Sequence, residues 1–135
     1  MIPEFRVYNK TTKLMYPVKF ISYPLRTVRC INKHGLCLSE ETFYLTREEI
    51  VLMQSTDLFD NQEDPQEIYK DDIVLRQSSA PDFSKDQLIG VVKMIEGAWV
   101  IDTGKEAVNL WTEVGENFVL GNIHENPELL ESVEE

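Results

Sequence analysis

Short apolar runs separated by polar turns succeed one another along this 135-residue chain. Phe5, Val7 and Tyr8 precede the polar Asn9-Lys10-Thr11-Thr12-Lys13, and Leu14, Met15 and Tyr16 follow it, which predicts a β-hairpin. Val18-Lys19-Phe20-Ile21 and Thr42-Phe43-Tyr44-Leu45 read as further strands. Between them, residues 25–31 and 36–38 read as two strands around the turn Asn32-Lys33-His34-Gly35, a register that sets Cys30 directly across from Cys37. The signals then conflict. Thr46-Arg47-Glu48-Glu49 matches a helix capping box, whereas the following Ile50-Val51-Leu52-Met53-Gln54-Ser55-Thr56 is rich in β-branched residues. At most one helical turn followed by a strand is expected there.

Residues 57–67 turn polar and acidic and read as a loop, the best candidate for a subdomain boundary. Beyond it, Ile68-Tyr69 and Ile73-Val74-Leu75 flank Lys70-Asp71-Asp72, and residues 77–86 read as an exposed connection. Residues 88–95 and 98–102 carry the strongest local signal, two apolar runs joined by Glu96-Gly97, whose glycine accepts the positive φ of a tight hairpin. A last strand over 118–123 leads to Asn126-Pro127-Glu128, a helix-start combination that predicts a short acidic helix. An isolated helix of that length is far below the ~12 residues at which helices become even marginal in water. Leu129 and Leu130, joined by Val133, are therefore expected to dock on the protein or on a neighbouring subunit.

Composition narrows the class. A chain of this size with 42% apolar residues can bury a core without metal or disulfide staples. No apolar run reaches the ~18 residues that a membrane helix needs, and Met1-Ile2-Pro3-Glu4-Phe5-Arg6 lacks the basic start and apolar core of a signal peptide, so a cytoplasmic location is expected. Cys30 and Cys37 are too few for a disulfide framework; their hairpin register would admit a bridge, but thiols are favoured. Charge is uneven. Residues 1–39 carry seven Lys and Arg against Glu4 alone, a net of +6, so the chain total of −11 leaves −17 for residues 40–135. An acidic majority repels phosphate backbones, while opposite-signed segments can attract each other within the fold or between subunits.

Four stretches together resemble the YopX family of phage and prophage proteins. They are Phe5-Arg6-Val7-Tyr8-Asn9 with Lys13-Leu14-Met15-Tyr16; Leu52-Met53-Gln54-Ser55-Thr56 through Glu67-Ile68-Tyr69-Lys70-Asp71-Asp72-Ile73-Val74; Val91-Val92 with Ala98-Trp99-Val100; and Leu120-Gly121-Asn122-Ile123-His124-Glu125-Asn126-Pro127-Glu128-Leu129-Leu130. The resemblance implies a mainly-β (minor α+β) fold. Residues 1–56 would form a β-rich subdomain packed on an SH3-like barrel over 57–125, followed by a short acidic helix or tail over 126–135, all in one compact unit. It implies no enzymatic activity. Two departures affect loops: Glu63-Asp64-Pro65 replaces the family's usual Asn-Gly turn, and Asp71 stands where a glycine commonly precedes Asp-Ile-Val.

Candidate chemistry is sparse. His34 with Cys30 and Cys37 offers three ligands where a structural zinc needs four, so no metal is expected there. His124 reads as a surface residue. Asp57, Asp60, Glu63, Asp64, Glu67, Asp71 and Asp72 read as a solvated acidic stretch, because Pro65 stands where a calcium loop needs glycine. No phosphate-cradling loop, nucleophile elbow or zinc-protease motif occurs, and the reading is a non-catalytic protein with no cofactor. Trp111, Tyr69, Leu129 and Leu130 are the candidate interaction residues. Self-assembly, or a phage or host protein partner, is the expected mode. Nucleic-acid association through Arg6, Lys10, Lys13, Arg26, Arg29 and Lys33, DNA mimicry by the acidic half, and a metal-dependent enzyme on the acidic stretch are the less favoured alternatives.

Overall fold

In the computed structural model, which describes residues 4–78, 87–113 and 115–131, the alternating runs become eleven strands and one short helix. They form a six-stranded sheet of order β4-β3-β2-β1-β5-β6 and a five-stranded sheet of order β10-β9-β8-β7-β11, and every pairing whose register is given below is antiparallel. The chain divides into two compact units, Met1–Ser55 and Thr56–Glu135.

The first unit holds β1 (Phe5–Asn9), β2 (Leu14–Ser22), β3 (Thr27–Asn32), β4 (Ser39–Tyr44) and the start of β5 (Ile50–Phe59). Asn9 makes the first turn: its Oδ1 accepts from the backbone N–H of Thr11 and Thr12, and its carbonyl from that of Lys13, which takes φ 61°. β2 is one long strand rather than two. β1 pairs with its residues 14–17 and β3 with its residues 18–22, with a register shift between Val18 and Phe20. Pro17, which cannot donate to a ladder, stands where β2 changes partner. Inward positions Val7, Tyr16, Val28, Cys30 and Ile50 form the core, with Leu14, Phe43 and Leu52 packed against them.

The expected pairing of Cys30 with Cys37 does not form. β3 and β4 pair with Cys30 opposite Glu41, and residues 36–38 lie in the connecting loop, where Leu36 and Leu38 face solvent. Asn32 redirects the chain: its Oδ1 accepts from His34 N–H, opening a longer loop than the apolar spacing suggested. After a turn over 45–49, β5 runs to Phe59, past Asp57, which the sequence had placed in the loop. Asp57 takes φ 65°, a local bend that leaves the strand intact.

The second unit holds the end of β5, then β6 (Glu67–Tyr69), β7 (Asp72–Ser78), β8 (Gln87–Ile95), β9 (Ala98–Asp102), β10 (Ala107–Asn109), β11 (Gly115–Asn122) and α1 (Glu128–Glu131). Ile68, Val74, Val92, Ile101 and Leu110 are fully buried at its centre, each stabilising by roughly 1.5–3 kcal/mol. Glu96 and Gly97 take φ 50° and 81°, so β8 and β9 join through the two-residue turn that the sequence indicates. Of the connection expected at 77–86, Gln77 and Ser78 complete β7, and 79–86 lie outside the described residues, as does Val133.

Arg76 shows that this sheet is rolled. β7 and β10 are three strand positions apart, ~14 Å in a flat sheet, beyond the reach of one side chain. Yet Arg76 on β7 donates to the carbonyls of Asn109 and Leu110 at 2.8 and 2.6 Å, and to Asn117 Oδ1 at 2.6 Å. Asn117 Nδ2 donates to Leu110 O as well. The rolled five-stranded sheet is consistent with a small SH3-like barrel. Gly90 permits the curvature, since a Cβ there would lie 2.6 Å from the Asp102 carbonyl oxygen.

The outer edge of β11 is covered by residues 60–62. Asn61 and Asn117 exchange hydrogen bonds, Asp60 Oδ2 accepts from Val119 N–H, and Asp60 Oδ1 accepts from Gln66 N–H. Asp60 is buried, not solvated as expected of an acidic loop, and Asp72 is buried too, accepting from Tyr69 N–H. Burial alone would push the Asp60 carboxyl up, but the N–H groups of Gln66, Val119 and Gln62 together hold it below its ordinary value. Its stabilising contribution is therefore complete above the ordinary carboxylate range and is lost as pH falls through the depressed folded value. Asp60→Asn should lower stability by about 1–3 kcal/mol at neutral pH and by less in acid, measured by urea denaturation at both. An equal loss at the two pH values would refute the charge-dependent strap.

Candidate functional site

Two features stand out from the core: an exposed face on the first unit and a buried histidine–carboxylate pair in the second. The face follows from strand alternation. With Val28 and Cys30 buried, Arg29 on β3 points outward, and its cross-strand partners Phe20 on β2 and Thr42 on β4 share that side. The neighbouring rows add Ile31 with Glu40 and Thr27 with Tyr44. Phe20 and Tyr44 are about half exposed (53% and 52%), and Leu38, just before β4, is 74% exposed.

Charges organise the middle of this face. Lys19 Nζ lies 3.1 Å and Arg29 Nε 2.8 Å from opposite oxygens of Glu40. The hydrogen bonds from Arg29 and then Lys19 hold the Glu40 carboxyl below its ordinary value. Two cations share one carboxylate, so the cluster keeps a net positive charge. Together with Ile31, Leu38 and Ser39 these three line an open groove of about 500 Å³.

The pair joins two distant turns. His124 Nε2 lies 3.0 Å from Asp71 Oδ2, both side chains being largely enclosed, so the expectation of a surface histidine is corrected. Asp71, in the β6–β7 turn, takes φ 73°, a left-handed backbone state that favours glycine. Its carbonyl accepts from Ile123 N–H, and Asn122 Oδ1 accepts from the N–H groups of His124 and Glu125. The pair therefore fastens the β6–β7 turn to the turn after β11.

His34 is likewise engaged, donating from Nε2 to the Met15 carbonyl at 2.8 Å and packing edge-on against Tyr16. Among the described residues, no group of three or more His, Cys, Asp and Glu side chains is close enough to hold a metal. Cys30 is buried, and burial, with the Glu41 charge adding to it, pushes its thiol up to about 12. Cys37 is exposed.

The expected basic patch is dispersed. Lys10 and Lys13 sit in the β1–β2 turn and Lys33 in the β3–β4 loop, at the end of β2 where His34 meets Met15. Arg26 lies at the other end of β2, roughly 25 Å away along a nine-residue strand. Arg29 is engaged by Glu40, and Arg6 is half-buried in β1. Of the expected interaction residues, Trp111 is 63% exposed while Tyr69, Leu129 and Leu130 are half-buried. Leu130 lines a cavity of about 200 Å³ with Ile89, Val91, Lys93 and Asp102, so the short helix does rest against its own sheet. Sequence reasoning missed the Lys19–Arg29–Glu40 cluster and the Asp71–His124 pair. Strand alternation carried a signal for the first, and the replaced glycine carried one for the second.

These features define a mainly-β protein of two small units, each folded around its own sheet core. A family model described as "YopX protein" matches residues 4–131. The chain belongs to the YopX family. The crystal structure of protein yopX from Bacillus subtilis is similar over 93% of this chain and 96% of that one, with a TM-score of 0.63 and 20% identity, a likeness of fold. No curated protein matches the chain.

Asp71→Gly keeps the left-handed turn and removes the carboxylate, so it isolates the pair. His124→Ala should cost about 1–3 kcal/mol in the native chain and clearly less in the Asp71→Gly background, read as a double-mutant cycle from chemical denaturation. Additive losses would show that the two side chains do not act together. The thiols separate in the same way. One equivalent of a thiol reagent should react quickly with the native protein, at Cys37, and a second only on unfolding; two fast equivalents would contradict the burial of Cys30.

Proposed function

We propose that this chain is a non-catalytic interaction module of phage or prophage biology, acting in the bacterial cytoplasm by presenting the outer face of its first unit to a protein partner. The observation that carries this reading is the concentration of exposed apolar side chains there. Phe20, Leu38 and Tyr44 lie on or beside the β2–β3–β4 face, and Tyr23, Leu25 and Leu36 project from the adjoining turns. Exposed apolar surface interspersed with charge, such as Lys19, Arg29 and Glu40 supply, suits a protein interface. β4 is also the terminal strand of its sheet, and a terminal strand offers a template for pairing. The non-catalytic part of the reading is supported by both histidines, whose Nε2 atoms serve structural hydrogen bonds.

The test is a quantitative comparison of the proteins retained by the tagged chain and by a Phe20→Ser, Leu38→Ser, Tyr44→Ser variant. A partner held in stoichiometric amount by the first, the chain itself included, and lost by the second is the expected result, with the melting temperature nearly unchanged because all three side chains are at least half exposed. Equal retention by both proteins would overturn the assignment of this face.

A further inference from the structure

The groove on the first unit has a chemistry that specifies what fits it. Ile31 and Leu38 give it apolar walls, and Lys19 and Arg29 present two cations against the one carboxylate of Glu40. Its volume of about 500 Å³ falls within the ~300–1,000 Å³ of clefts that enclose small ligands, and it is open to solvent. An aromatic ring suits such a site twice over, through burial against the aliphatic walls and through the attraction of a π face for a neighbouring cation. A carboxylate beside the ring would answer the surplus positive charge.

The chain itself carries that combination. Trp111 stands 63% exposed just beyond β10, the terminal strand of the second sheet, and the exposed Glu113 follows two residues later. The wider charge distribution agrees. The first unit holds eight Lys and Arg against five Asp and Glu, a net of +3, which leaves −14 for the second. The geometry points to a contact between two copies of this chain, in which Trp111 and Glu113 of one copy occupy the Lys19–Arg29–Leu38 groove of the other. This rests on the reading of the first unit's face as an interaction surface and names its occupant. The contact joins different patches on the two copies, so it closes as a symmetric dimer where each copy's Trp111 enters the other's groove and otherwise continues to a ring or an open chain.

Light scattering coupled to size exclusion, over a range of protein and salt concentrations, tests it. The expected result is a mass above the monomer that rises with protein and falls with salt. Trp111→Ala, Leu38→Asp and Glu113→Lys should each weaken the association by about tenfold or more with little change in melting temperature, as tryptophan anchors and their pockets commonly do. Phe59→Ala removes a comparably exposed aromatic of the same unit and should leave association as it was, which separates a specific anchor from general stickiness. A strict monomer under all conditions, or association unaffected by Trp111→Ala, overturns the contact. If a different protein is nonetheless lost from the Phe20, Leu38, Tyr44 variant, the interaction face stands and only its occupant was wrong; if that variant loses nothing either, both fall.

Discussion

The second unit depends on one half-buried cation. Arg76 spends its hydrogen bonds on neutral oxygens, the Asn109 and Leu110 carbonyls and Asn117 Oδ1, and burial lowers its pKa. A guanidinium tolerates this better than an ammonium would, because its planar fork meets several acceptors at once and it is more weakly hydrated. The demand for such a link is set by size. A five-stranded sheet with Leu110, Val92 and Ile101 at its centre excludes water only when rolled, and the backbone ladder ends at β10 on one side and β11 on the other. Side chains therefore do at the seam what the ladder does elsewhere. Gly115 keeps the place clear, since a Cβ there would lie 2.8 Å from Arg76 Cδ.

That division explains what was legible in the sequence. The β8–β9 hairpin, the first hairpin and the short acidic helix are specified by neighbours in the chain, and all three form where the residues indicate. Even so, a local signal can have the right outcome through a different bond: Asn126 precedes the helix, but its Oδ1 accepts from Asn122 N–H behind it. The unread features connect distant residues. Asp60 with Val119, Arg76 with Leu110 and Asp71 with His124 are each polar groups whose partners lie far along the chain, and no periodicity encodes them. Leu36 and Leu38 misled in the opposite direction, since their apolar alternation suggested a strand although both are exposed in a loop.

The two units manage their polar residues differently. The second draws carboxylates inward, so that Asp60, Asp71 and Asp72 work as acceptors that shape turns and edges. In the first, none of the described carboxylates is buried and several apolar side chains lie outside as well, leaving Phe20, Tyr23, Leu25 and Tyr44 in view of solvent. Burying a carboxylate is costly unless N–H groups surround it, which ties each buried acid in the second unit to a fixed backbone geometry. An exposed apolar side chain carries no such obligation, and its conformation is free to follow whatever covers it.

The tight turn at Glu96 and Gly97 bears on the order in which the second unit assembles. Hairpins closed by two residues form in ~1–10 μs, because almost no chain entropy is lost before the first cross-strand pairs are made. β8 and β9 meet in this way, whereas β11 must return from far along the sequence to pair with β7 and bring Asn117 to Arg76. Contacts of such long separation come late. Until they do, β7 has an unsatisfied edge. The slow closure of β11 is thus the interval in which the nascent protein is exposed to pairing with the wrong strand, an order that pulse-labelled hydrogen exchange reads directly as protection arising first in β8 and β9.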